Sequence, residues 1–188
     1  MNILFLGYER CKVLDFLKSK YNVLQLSDRI SNSSLEVENF DYVISYGYTH
    51  ILKEDFLNRV KNKPINLHIS YLPWNKGYHP NIWSFFEGTP KGVTIHIIDS
   101  GIDTGDILFQ REVVFDEEDT LQETYLRLRN EMDALFIEKW GYIVSGNYIP
   151  IPQSHVGTFH YKKDIDRLKI DDWNMSVKEL MARKTEVK

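Results

Sequence analysis

The order of apolar runs and amphipathic stretches in the first half of the chain most constrains its fold. Asn2-Ile-Leu-Phe-Leu-Gly7 is a short apolar run ending in glycine, the pattern of a buried strand. From Glu9 to Lys20 the apolar positions are Val13, Leu14, Phe16 and Leu17, which predicts an amphipathic helix. Residues 22–26 and 41–46 predict a second and a third strand, and the Ser- and Asn-rich residues 27–39 between them a loop or weak helix. Strand and helix in alternation predict a parallel sheet with right-handed crossovers.

The rest of the chain extends this pattern. A short helix is expected over residues 52–60 and a strand over 64–69. A helix with Pro80 in its first turn covers 80–87, and β-rich segments cover 92–98 and 107–115. A long helix runs over about 120–144, where Thr120 and Glu123 match a capping box and Gly146 marks the stop. A last helix is expected near 176–183. The expectation is one doubly wound, mostly parallel α/β domain over residues 1–150 with a short C-terminal extension over 151–188. Such sheets bind ligands outside the carboxyl ends of their strands, and both polar clusters described next are assigned to such ends.

Charge and cysteine content exclude several roles. The 188 residues carry a formal net charge of −4 with no long basic run, which argues against nucleic acid as the main partner. Cys11 is the only cysteine, so no intrachain disulfide can form. No apolar stretch approaches the ~20 residues of a membrane helix. A cytoplasmic setting without membrane contact is the expectation.

The first polar cluster is Asn66-Leu67-His68-Ile69-Ser70-Tyr71-Leu72-Pro73-Trp74-Asn75-Lys76-Gly77. Alternation along a strand points Asn66 and His68 to one face and Leu67 and Ile69 to the other. The pair is either a buried polar pair with satisfied hydrogen bonds or part of a site. The second cluster, Asp99-Ser-Gly-Ile-Asp103-Thr-Gly-Asp106, packs three carboxylates into a glycine-containing loop. A solvated turn is one reading. A calcium loop is disfavoured, because the order of acidic residues and the terminal glutamate are missing, and no metal is assigned. Together the clusters supply a neutral donor, an imidazole and a carboxylate. That set suits acyl transfer to an amine, in which an oxyanion needs fixed donors and protons must move near neutral pH. No serine or cysteine stands in a nucleophile-elbow context nearby, so direct attack on a bound acyl donor is preferred over a covalent intermediate.

The stretches INLHISYLPWNKG and KGVTIHIIDSGIDTGDIL resemble the formyltransferases that use 10-formyltetrahydrofolate. The N-x-H element, the LPxxxG turn and the DTG loop occur in order. The resemblance covers roughly residues 1–150, with a weaker echo in Gly157-Thr-Phe-His-Tyr-Lys-Lys-Asp164. It implies a Rossmann-like fold, 10-formyltetrahydrofolate as co-substrate, and catalytic roles for Asn66, His68 and Asp103. Asn66 would bond the formyl oxygen. His68 would stabilise the oxyanion and shuttle a proton. Asp103 would orient His68, raise its pKa and help remove the amine proton through water. Tyr48, Ile51 and Leu52, with Ile98 and Asp99 opposite, would line the pterin pocket.

Departures from the pattern narrow the acceptor. Gly7 is followed by Tyr8-Glu9-Arg10, without the phosphate loop of the glycinamide ribonucleotide enzymes. Fewer than forty residues follow Pro150, less than the extra domain of the methionyl-tRNA enzymes. The resemblance is nearest to sugar N-formyltransferases and the gramicidin formylation domain. It implies a small-molecule amine acceptor, first a nucleotide-linked amino sugar, with an aminoacyl group, another small amine or a non-catalytic folate-binding module as alternatives. Tyr78 and His79 are the acceptor-site candidates. Trp83 reads as core packing and His96 as a satisfied core histidine beside the site. Lys76 is either a solvated loop charge or a phosphate contact, and Lys162 and Lys163 are expected to face solvent. His155 and His160 receive no role. The tail after Pro150 is expected either to pair with a second subunit in a homodimer or to cover the site.

Overall fold

The computed structural model describes residues 1–30, 35–153, 157–170 and 172–185. The chain forms eight strands and five α-helices among these residues. In order they are β1 (Asn2–Gly7), α1 (Lys12–Lys18), β2 (Asn22–Leu26), β3 (Tyr42–Tyr46), α2 (Glu54–Leu57) and β4 (Ile65–His68). Then follow β5 (Lys76–Gly77), α3 (Pro80–Glu87), β6 (Gly92–Ile97), β7 (Ile107–Glu112), α4 (Leu121–Ser145), β8 (Phe159–His160) and α5 (Val177–Ala182). The expected elements are present, several shorter than their apolar patterns. The first helix starts at Lys12 because Cys11 caps it, its sulfur accepting from the Leu14 N–H. The long helix has the predicted capping box between Thr120 and Glu123 and stops at Gly146 in the left-handed conformation.

Six strands form one sheet in the order β2-β1-β3-β4-β6-β7. The first four are mutually parallel, as expected, but β6 runs antiparallel to both β4 and β7. The sheet is therefore mixed beyond β4, and this changes how the acidic loop reaches the site. Ile97 pairs with Ile65, so β6 ends beside the start of β4, not at its carboxyl end. The loop must return across the face of the sheet for Asp103 to meet Asn66 and His68.

Alternation sorts the strands between two apolar layers. Ile3, Phe5, Ile44, Ile65, Leu67, Val93 and Ile95 pack with α1 and α4 on one face. Leu4, Leu6 and Val43 pack with Leu52 and Phe56 on the other. Asn66 and His68 alternate with Ile65 and Leu67, and Thr94 and His96 with Val93 and Ile95. All four polar residues therefore share one face of the sheet.

The tail is woven into the same body. β8 pairs in parallel with β5, and Ile151 forms a two-bond bridge with Ile107 at the start of β7. Leu168, Val177 and Leu180 share a third apolar cluster with Ile82, Trp83 and Phe85 of α3 and Leu121 of α4. His155 lies outside the described residues.

Candidate active site

Asn66, His68 and Asp103 come together, and His96 joins them. Asn66 lies directly across from His96 in the β4–β6 register. Its Nδ2 donates to Asp103 Oδ1 at 3.2 Å and lies 3.2 Å from His96 Nε2. The other ring nitrogen of His96 is 2.8 Å from the Ile97 carbonyl, so Nδ1 carries a proton and donates to it. His68 Nδ1 is 3.7 Å from Asp103 Oδ2, and its Nε2 faces the Asn75 carbonyl at 3.4 Å. Asp103 Oδ2 also accepts the Gly77 N–H at 2.8 Å, and Oδ1 lies 3.4 Å from His96 Nε2.

The local sequence explains this arrangement. Asp103 sits at φ 55°, the left-handed region that aspartate tolerates better than most residues. Two residues on, a Cβ on Gly105 would overlap the Ile97 carbonyl, so only glycine lets the loop pass this close to the end of β6. Asn75, also left-handed at φ 55° and fully buried, is held by Thr158, Glu87 and Thr89. These contacts aim its carbonyl at His68.

Burial dominates the electrostatics. It lowers the His68 pKa; Asp103 acts in the opposite direction without overcoming it. This corrects the expectation that a neighbouring carboxylate would raise the imidazole pKa, because the ring is 7% exposed and its charged form loses its water. Burial also pushes the Asp103 carboxyl up, but His68, His96 and the Gly77 N–H outweigh it and hold it well below the usual carboxylate range. At neutral pH the pair is an aspartate beside a neutral histidine. Both ring nitrogens of His68 face acceptors, so a proton arriving there is stabilised on both sides.

The cluster opens into a cavity of about 560 Å³. Tyr48, Ile51, Leu52, Ile98 and Asp99, expected around a pterin, all line it, as do Tyr78 and His79. Some have further duties. The Tyr48 hydroxyl donates to the Asp28 carbonyl and accepts from the Ile30 N–H. Asp99 Oδ1 accepts from Gly101 N and Thr104 Oγ1, so this carboxylate organises the turn while Asp103 serves the cluster. Trp83 is fully buried and stacks on His160, as its core reading required. The Lys76 backbone pairs in β5 with β8, and Lys162 is exposed but lines the cavity beside Tyr78, not simply facing solvent. Five aromatic wall residues were not expected from the sequence: Tyr8, Tyr125, Phe159, Tyr161 and Trp173. Tyr8 stands at the end of β1, and the docking of α4 and the tail brings the others there. His96 had a local signal, its alternation with Val93, Ile95 and Ile97 in a buried strand.

A family model described as formyl transferase matches residues 10–139. The chain belongs to the formyl transferase family. This formyltransferase chain is 31% identical over 138 residues to a dTDP-4-amino-4,6-dideoxyglucose formyltransferase of Mycobacterium bovis, covering 73% of this chain and 58% of the relative. It is 34% identical over 145 residues to a methionyl-tRNA formyltransferase of Thermodesulfovibrio yellowstonii, covering 76% and 46%. The chain thus spans about half the length of the curated relatives it matches. Among solved structures, the formyltransferase PseJ of Anoxybacillus kamchatkensis superposes with a TM-score of 0.91 at 47% identity, covering 98% of this chain and 100% of that one. That crystal structure holds UDP-4,6-dideoxy-4-formamido-L-AltNAc and tetrahydrofolate.

Proposed function

We propose that this chain transfers the formyl group of 10-formyltetrahydrofolate to the primary amine of a nucleotide-linked amino sugar. The observation that carries the reading is the Asn66–His68–His96–Asp103 cluster opening into one cavity lined by both aliphatic and aromatic side chains. The volume lies within the ~300–1,000 Å³ typical of small-molecule sites. Ile51, Leu52, Ile98 and Ile102 offer a surface suited to a flat ring system, so the residues present fit the folate. Tyr78, His79 and Trp173 suit a sugar and its base, which aromatic faces can stack upon. The likeness to PseJ over both full lengths supports the same acceptor class. A single free cysteine, partly exposed, is consistent with a cytoplasmic setting, and no helix among the described residues is long and apolar enough to cross a membrane.

The chain's own residues supply binding, charge stabilisation and a proton path. The amine attacks the formyl carbon, its C–N bond forms, and the bond from that carbon to the folate nitrogen breaks. Asn66 donates to the formyl oxygen as charge builds there, exchanging one of its bonds to Asp103 and His96. A donor of this kind is worth about 3–4 kcal/mol. His68, neutral at rest, takes the amine proton and returns it to the departing nitrogen. Asp103, ionised throughout, stabilises the imidazolium while it exists.

The test is incubation of purified protein with 10-formyltetrahydrofolate and a panel of UDP- and dTDP-linked amino sugars, followed by mass spectrometry. The expected product carries one added CO, with tetrahydrofolate released in equal amount. Turnover confined to aminoacyl or other small amines would overturn the acceptor assignment in favour of the methionyl-tRNA type of substrate.

The His68 assignment also sets a pH dependence. A base must be unprotonated, and burial keeps His68 so below the ordinary histidine value of about 6.5. As pH falls from 8, kcat at saturating substrates is expected to hold through 6.5 and then fall with a one-proton limb. Saturation removes the ionisation of the free substrates from the profile. An acid limb centred above 7 would contradict the neutral, desolvated imidazole. The stability sign is the same: the depressed folded value means that stability is full above about 6.5 and is lost as pH falls towards the folded pKa.

A further inference from the structure

The tail reaches the catalytic cluster through one side chain that carries no chemistry of its own. Gln153 Nε2 donates to the Asp103 carbonyl at 2.8 Å and to the Gly105 carbonyl at 2.7 Å. Two acceptors on one nitrogen use both hydrogens of a carboxamide NH2. The Gln153 backbone is anchored two residues earlier, where Ile151 exchanges two hydrogen bonds with Ile107 at 2.8 and 2.9 Å. The loop it grips needs holding. Asp103 is a non-glycine residue at φ 55°, and its carboxylate direction depends on that backbone.

We propose that Gln153 is a positioning residue which clamps the 103–105 backbone and so holds the Asp103 carboxylate against His68. The grip is specific to a donor of this length. Alanine leaves both carbonyls without their partner. Methionine fills nearly the same space but offers no hydrogen, and buried carbonyls left unpaired are costly. A shifted loop moves Asp103 Oδ2 away from His68 Nδ1, which is already at 3.7 Å. The titratable groups facing His68 are Asp103 and His96, whose rings and carboxylate close around it. Losing the aspartate's influence leaves burial and His96, both of which disfavour the imidazolium.

The proposal rests on the formyl-transfer reading for its effect on rate, but not for its effect on His68. The experiment therefore reads both in wild type, Gln153→Met and Gln153→Ala, with thermal unfolding as the control for folding. The imidazole C–H resonance of His68 is identified by its loss in His68→Gln and followed by NMR against pH. In Gln153→Met the His68 titration is expected to move to lower pH than in wild type. The kcat for formyl transfer is expected to fall up to about a hundredfold, the scale of misplacing a catalytic group by an ångström, while KM for both substrates stays within about twofold. Should Gln153→Ala fail to fold, the methionine variant carries the test alone. An unchanged His68 titration in a folded Gln153→Met overturns the proposal, even if its melting temperature drops. If the wild type transfers no formyl group but the titration moves as expected, the reaction assignment fails and the positioning role stands.

Discussion

His68→Ala is expected to lower kcat by about 10²–10⁴-fold while leaving the fold and the KM for the folate little changed. The magnitude is that of removing a positioned general acid–base group. Unlike the Asp103 carboxylate, the His68 imidazole can both accept and return a proton near neutral pH. Asp103 cannot replace it, because His96, Gly77 N–H and Asn66 keep the carboxylate ionised and weakly basic after the substitution. The fold should persist because those partners still satisfy Asp103, so no buried charge is stranded. Single-turnover rates, with circular dichroism as the folding control, provide the measurement. Turnover equal to wild type would remove His68 from the mechanism and leave the cluster as an electrostatic site only.

Trp83→Ala is expected to destabilise the chain by about 3–5 kcal/mol, the range for emptying a buried indole site. Trp83 is fully buried and stacks on His160 at 3.9 Å between ring centroids, with an interplanar angle of 7°. The Arg167 guanidinium lies 4.8 Å from its ring and Phe86 meets it edge-on. His160 and Arg167 both belong to the tail, so the substitution attacks the joint between α3 and residues 157–170. The urea midpoint should fall in one cooperative transition, and the tail should become sensitive to protease before the sheet does. A loss under 1 kcal/mol, or two separate transitions in wild type, would mean that the tail folds independently of the residues before Pro150.

This joint shows what could be read from local pattern and what could not. The strands β1 to β4, the Thr120–Glu123 capping box and the alternation of Asn66 with His68 are short-range features, written within a few residues by side-chain direction and backbone preference. The antiparallel turn of β6 left no local trace, because a buried strand has the same apolar run in either direction. With it went the route of the acidic loop, which meets the cluster only by returning across the sheet.

Asp103 was identified through resemblance, and its distances to His68 and Asn66 belong to packing alone. The sign of the His68 shift reversed for the same reason: a neighbouring carboxylate is visible in a sequence, whereas loss of water around a ring depends on everything that surrounds it. Tyr8, Tyr125, Trp173 and Gln153 are separated from the N-x-H element by tens of residues, and none sits in a motif that marks it. The sequence by itself determined the doubly wound framework and the face that bears Asn66 and His68, since both follow from period and turn chemistry. Only the tertiary structure decided which carboxylate reaches them, that burial outweighs it at the imidazole, and that the tail lines the cavity, since each depends on contacts between segments distant along the chain.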